Sequence, residues 1–188
     1  MKEEIKIVTS NNYKYQEFLD LANNRIKLSR VDAPKLEIQA DSIEEIVRYS
    51  AVTFYSLFRS PLIVEDSGLF IEELRGFPGP YTNYVKRTLD CMGILKLMEN
   101  VENRNATFKS VIAYVDHDRL ALFEGETEGT IALKMSGQEG FGFDPIFIPK
   151  GRNETFSEMV LHEKNLISHR GQAFRKFLKY YEEINNYL

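Results

Sequence analysis

Leu62-Ile63-Val64-Glu65-Asp66-Ser67-Gly68-Leu69 opens as an apolar, β-branched run suited to a buried parallel strand, then meets two carboxylates, a hydroxyl and a glycine. The pattern predicts a strand that stops at Asp66. In open α/β sheets the space beyond strand carboxyl ends is where ligands bind. Two adjacent acids at such a place repel, and need a cation, a proton or solvent to persist. The plainer reading is a polar strand-to-turn junction, because Asp, Ser and Gly are common turn residues. The remainder of the chain decides between the two.

Upstream, Ile5 to Thr9 reads as a short buried strand. Ser10-Asn11-Asn12 supply helix N-cap types, and Tyr13 to Leu19 a first helix. Ile26 to Val31 resumes strand-like alternation, which completes a βαβ unit expected to be parallel and right-handed. A Pro-containing connection, 31–39, follows. Ser42 with Glu45 makes a capping box, after which Ile43, Ile46, Val47, Ser50, Ala51, Phe54, Leu57 and Phe58 share one helical face. Downstream of the opening stretch, 76–81 is a Gly/Pro loop. A helix-like segment then carries Val85, Leu89, Met92, Leu95 and Met98. Thr107 to Val115 and Leu120 to Leu133, around the turn Asp116-His117-Asp118, predict an antiparallel ribbon and hence a mixed sheet. A second rigid loop, 140–145, runs into a short strand at 146–148. The chain closes with a helix capped near Ser168, with Ala173, Phe174, Phe177, Leu178, Tyr181 and Ile184 facing inward. Without repeats or linkers, residues 1–188 are expected to form one α/β domain.

With 188 residues the chain can bury a full core. A formal charge of -4 argues against nucleic-acid binding by bulk attraction, so a polyanion must be held by local cations, helix ends or a metal. The single cysteine, Cys91, excludes an internal disulfide and a cysteine metal cage; it reads as an inert helical thiol. No apolar run approaches membrane-spanning length, and no signal-peptide apolar region is visible, so the expected location is the cytoplasm, away from membranes.

Four further places carry chemistry. Thr9-Ser10-Asn11-Asn12-Tyr13-Lys14 puts hydroxyls, amides and a lysine where a strand meets a helix N-terminus, a place receptive to phosphate. It lacks the glycines of a Walker loop, and capping alone accounts for Asn11 and Asn12. Lys164, His169 and Arg170 crowd cations around a helix start, the end that dipoles make unfavourable for positive charge. Such crowding suggests a held anion. No HxxxH or HExxH spacing makes His169 a zinc ligand. In Gly140-Phe141-Gly142-Phe143-Asp144 the aromatics are either core residues or, with glycines beside them, a platform for a flat ligand. Glu37 is an exposed loop acid unless it joins Asp66 as a second ligand to Mg²⁺.

Taken together these segments resemble the inosine triphosphate pyrophosphatase family, over nearly the whole chain and in the same order. Its T-x-N-x-x-K segment matches Thr9 to Lys14, its D-S-G-L matches Asp66 to Leu69, and its P-G loop matches Pro78-Gly79. G-[FY]-G-[FY]-D-P matches Gly140 to Pro145, T-F-[AS]-E-[ML] matches Thr155 to Met159, and K-N-x-[IF]-S-H-R matches Lys164 to Arg170. There are departures. Many members have two aspartates before the serine, where this chain has Glu65-Asp66. Many have Ser-Ala-Arg after the Pro-Gly loop, where this chain has Tyr81-Thr82-Asn83-Tyr84, followed by Lys86 and Arg87.

The resemblance implies an elongated, two-lobed α/β domain with a long mixed sheet and a cleft between the lobes. It implies hydrolysis of ITP, dITP or XTP to the monophosphate and pyrophosphate, with a homodimer in which Tyr81 to Tyr84 take part. That reaction asks for Mg²⁺ (Mn²⁺ as substitute) to neutralise the triphosphate, with Glu37 and Asp66 as metal ligands. It asks for a carboxylate to align or deprotonate water, here Asp66. Lys14, Lys164 and Arg170 are the candidates for phosphoryl charge. Thr9 to Tyr13, Ser67, Phe141, Gly142, Phe143 and Asp144 complete the substrate site. Rejecting ATP requires a donor aimed at the purine C6 oxygen, from His169, Arg170 or backbone N–H groups near Phe141 to Asp144. Two rivals remain: a pyrophosphatase of the same fold acting on pyrimidine or modified nucleotides, and a non-catalytic nucleotide sensor.

Overall fold

The computed structural model describes residues 4–33 and 38–186, with side chains up to residue 185. Strand β1 (Glu4–Val8), helix α1 (Asn12–Ala22) and strand β2 (Lys27–Val31) form the expected βαβ unit, with β1 and β2 parallel. Helix α2 (Ile43–Phe58) begins at Ser42, whose hydroxyl accepts from Glu45 N, and leads into β3 (Leu62–Ile71). A two-residue strand β4 (Pro78–Gly79) returns against β3. Helices α3 (Thr82–Thr88) and α4 (Asp90–Leu97) follow, then the ribbon β5 (Asn105–Val115) and β6 (Leu120–Ile131). Strand β7 (Phe147–Pro149), α5 (Leu161–Ile167) and α6 (His169–Asn186) complete the chain. The seven strands make one mixed sheet in the order β2-β1-β3-β5-β6-β7, with β4 paired to β3. None of the described helices is long and apolar enough to cross a membrane.

Three expectations are corrected. The strand predicted to stop at Asp66 continues to Ile71, because β5 pairs with it from Leu62↔Val115 to Ile71↔Ala106. What stops there is its other neighbour: β1 registers with β3 at Lys6↔Leu62 and Ile7↔Ile63 and ends at Val8. Glu65 and Asp66 therefore lie past the carboxyl end of β1 while still inside β3. Gly68 is likewise no turn residue. A Cβ there would lie 2.5 Å from Gly79 O, so its missing side chain lets β4 pack on the strand. The helix-like segment after the Pro-Gly loop is two helices, broken where Asp90 adopts φ 57°.

Strand alternation distributes the core. Ile63 and Ile112 face α1 and α6 in a cluster with Phe18, Phe174 and Phe177. Val64, Val111 and Ala113 face α2 with Val47 and Phe54. Further along the same strands Leu69, Ile71 and Phe108 join Ile94, Phe147 and Phe156 in a third cluster, the core of the second lobe. Between these apolar blocks β3 and β5 carry a polar band, Glu65, Asp66, Ser67 and Ser110.

Candidate active site

The polar band forms one wall of a cavity of about 500 Å³. The β1–α1 connection and α3 supply further lining. Thr9, Ser10, Asn11, Tyr13 and Lys14 line it, as do Glu65, Asp66, Ser67, Phe141 and Gly142. The β1–α1 turn is capped from within: Asn11 N donates to Thr9 Oγ1 (3.1 Å) and Lys14 N to Asn11 Oδ1 (3.2 Å). It is also held from outside by Arg30, which donates to Thr9 O (3.0 Å), Ser10 O (2.8 Å) and Asn12 Oδ1 (3.2 Å). Asn12 faces that arginine and does not line the cavity. A second cavity of about 760 Å³ opens on the other side of Asp66, walled by Ile46, Phe77, Tyr81, Tyr84 and Arg87. Among the described residues Asp66 is the one common to both.

Phe143, Asp144, Lys164, His169 and Arg170 lie beneath the cavity and do not line it. Each is buried. Lys164 Nζ sits 2.7 Å from both Glu17 Oε1 and Asp144 Oδ2. Arg170 pairs through Nη1 with Glu17 Oε2, through Nη2 with Glu65 Oε1 (3.1 Å), and donates to Ser67 Oγ (3.0 Å). Lys14 Nζ lies 2.8 Å from Glu65 Oε2 and 4.0 Å from Asp66 Oδ1. Ser110 Oγ donates to Glu65 Oε1 (2.7 Å). The anions that the crowded cations hold in this structure are thus the chain's own carboxylates, three acids against three bases. Burial alone would raise the Glu17 and Glu65 carboxyls, but Arg170, with Lys164 at Glu17 and Lys14 at Glu65, outweighs it and holds both below the usual carboxylate range. Burial also opposes the charge on Lys164, yet Asp144 and Glu17 keep its ammonium more firmly protonated than usual.

His169 is different. Burial first, then Arg170 and Lys164, depress its imidazole well below the ordinary value, so it is neutral. Its ring stacks on Phe108 (centroids 4.6 Å apart, 8° between planes), and Nδ1 is buried without a hydrogen-bond partner among the described residues. Phe141 carries the network to the cavity surface. Its ring lies 5.2 Å from both Lys164 Nζ and the Arg170 guanidinium, and 5.9 Å from the Tyr13 ring. Its N–H donates to Asp144 Oδ2 (2.8 Å), which fixes the loop from below.

Sequence reasoning missed Glu17, Ser110 and Arg30. Glu17 had a signal, an acid three residues after Lys14 and adjacent to Phe18 on a helix face that must be buried. Ser110 and Arg30 had none, because each acts through a neighbour brought in by sheet pairing. Glu37 lies outside the described residues. Among those described, no three His, Cys, Asp or Glu side chains cluster as a metal cage.

A mixed seven-stranded sheet with a cavity beyond the end of β1, a capped helix N-terminus and a carboxylate at its wall places the protein among the open-sheet α/β proteins. A model of the Ham1 family matches residues 5–180. The chain belongs to the Ham1 family. A protein of Saccharolobus solfataricus named dITP/XTP pyrophosphatase is 47% identical over 180 residues, covering 95% of this chain and 94% of the relative. A HAM1 protein from Coxiella burnetii superimposes with a TM-score of 0.85 at 28% identity, over 97% of this chain and all of that one. The Staphylococcus aureus Ham1 protein gives 0.81 at 25% identity, over 96% and 99% of the two chains.

Proposed function

We propose that this enzyme hydrolyses non-standard purine nucleoside triphosphates, dITP, XTP and ITP, to the monophosphate and pyrophosphate. The observation that carries the reading is the cavity where Asp66, Lys14 and the N-terminal turn of α1 converge. Helix N-termini and lysines receive phosphates, while a carboxylate at the same wall can align or deprotonate water. The name shared by relatives at 43–48% identity supports the same substrate class.

The donor set suits magnesium. Among the described residues the cavity presents oxygens and one lysine pair but no histidine or cysteine, and Mg²⁺ is commonly held by one or two carboxylates plus substrate phosphates. Asp66 is the ligand of choice among the described residues, with Glu37 as the second; Mn²⁺ would serve in its place. When bound, the ion supplies charge neutralisation for the triphosphate. Lys14 contacts the phosphates directly. Arg170 and Lys164 act from beneath, by fixing Glu65, Ser67 and the Phe141 loop. Phe141 and Tyr13 offer the apolar surface for the base. Reading its C6 oxygen, where adenine carries an amine, falls to the backbone near Phe141 to Asp144, because His169 and Arg170 lie beneath the cavity and the Arg170 donors are already engaged. A mismatch of that kind can discriminate by on the order of 10⁴-fold.

A release assay for pyrophosphate across dITP, XTP, ITP, the four standard NTPs and dTTP, with and without Mg²⁺, tests this. Metal-dependent turnover strongest on the first three is expected. Preference for a pyrimidine triphosphate would give the site to the same-fold rival, and binding without turnover would make the protein a sensor.

A further inference from the structure

Among the described residues, four charged ones line the phosphate-side cavity: Lys14, Glu65, Asp66 and Lys86. Their formal charges cancel. Beneath them the cations Lys164 and Arg170 are spent on Glu17, Glu65 and Asp144, in pairs whose side chains are 2–5% exposed. Breaking a buried pair leaves an uncompensated charge and carries a large penalty. Neither cation can turn to a substrate without that loss. Lys14 is itself 2.8 Å from Glu65. A triphosphate entering this cavity therefore meets a balanced wall, with no surplus positive charge on the phosphate side.

Lys86 is in another situation. It belongs to α3 and lines the cavity, and its Nζ rests on Asp90 Oδ1 and on Cys91 Sγ (3.5 Å). Its side chain is 31% exposed and that of Asp90 56% exposed. Ion pairs this open contribute little and exchange readily for another anion. Asp90 is solvated without it, and the Cys91 thiol still faces the Gly142 carbonyl (3.5 Å). We propose that Lys86 is the mobile phosphate-binding cation of this site: it leaves Asp90 and turns into the cavity to bind, together with Lys14, the outer phosphates of a nucleoside triphosphate. Because Lys is a compact point charge on a flexible stem, it can make this movement where an arginine of the buried network cannot. The inference rests on the nucleotide reading above for its ligand, and deepens it by naming the group that receives the leaving pyrophosphate.

The test is calorimetric titration of the protein in Mg²⁺ with inorganic pyrophosphate and, separately, with xanthosine monophosphate, beside kinetics on XTP. Lys86→Gln should weaken pyrophosphate binding and raise KM for XTP by about 10- to 100-fold, the range for losing one charge-assisted hydrogen bond. Monophosphate binding should be unchanged. Lys86→Arg, which keeps the charge, should restore most of the pyrophosphate affinity, and Asp90→Asn, which frees the lysine, should tighten it. Unchanged pyrophosphate binding in Lys86→Gln overturns the proposal, as does equal weakening of both ligands. Wild-type protein that binds pyrophosphate through Lys86 yet leaves XTP uncut would fault the assigned reaction and not this residue.

Discussion

Asp66 and Glu65 are neighbours in sequence with opposite fates. Alternation along β3 turns Glu65 toward α6, where Arg170, Lys14 and Ser110 consume both of its oxygens. It turns Asp66 toward the α2 side, at the meeting of two cavities. Lys14 is 2.8 Å from the first and 4.0 Å from the second, so the pair shares one cation unequally. The acid that borders both cavities is the one suited to water and metal, and the other is held in the ion network. Asp66→Asn should therefore lower kcat by about 10²–10⁴-fold or more, the range for removing a general base, with the thermal transition unchanged. A purified variant retaining a tenth or more of the wild-type rate in steady-state assay would remove Asp66 from the chemistry, on the scale of that range.

Four elements meet in the buried ion network: α1 through Glu17, β3 through Glu65, α5 through Lys164 and α6 through Arg170. Depressed carboxyls of this kind stabilise the fold above their ordinary value of 4.5, and the contribution is lost as pH falls through their lower folded values. His169 acts earlier with the same sign. Its folded value lies well below 6.5, so the unfolded chain takes up a proton first and stability declines as pH drops below about 6.5, by up to about 1.4 kcal/mol per pH unit. Thermal melts between pH 8 and pH 3 should thus show a shallow loss below neutrality and a steeper one under pH 4.5. His169→Gln should abolish the shallow stage alone; a shallow stage that persists in that variant would assign it elsewhere. The elements themselves were legible where one period dominates, as in the Ser42-capped α2 and the β5–β6 ribbon. The strand end at Asp66 was misjudged because polarity along β3 reflects the cavity and not a chain reversal, and only the pairing with β5 shows it. The site was legible as segments, Thr9 to Lys14, Glu65 to Ser67 and Phe141-Gly142, which the fold does bring together. Its lower layer was not. Lys164 and Arg170 read as cations waiting for a ligand, because Glu17, 147 residues away from Lys164, is invisible as their partner until α1 and α5 pack. The close seat of α6, where a Cβ on Gly125 would lie 2.1 Å from His169 O, is equally beyond one-dimensional reading.

For the molecule as a whole, one sheet serves two lobes, and the polar band where their cores part company holds both the cavity and the ion network beneath it. A chain with a formal charge of -4 can hold a polyanion only by local means, and the proposed function assigns these to a helix N-terminus, Lys14 and a magnesium ion at Asp66. That account makes a definite statement about which bond breaks. The most direct measurement is ³¹P NMR of XTP hydrolysis by the wild type and by Asp66→Asn, each with Mg²⁺ and with the metal chelated. The account predicts that wild type with Mg²⁺ yields xanthosine monophosphate and pyrophosphate in equal amounts without orthophosphate, and that the other three samples are close to inert. Release of orthophosphate and the diphosphate, or turnover that survives both the loss of Asp66 and the removal of metal, would contradict it.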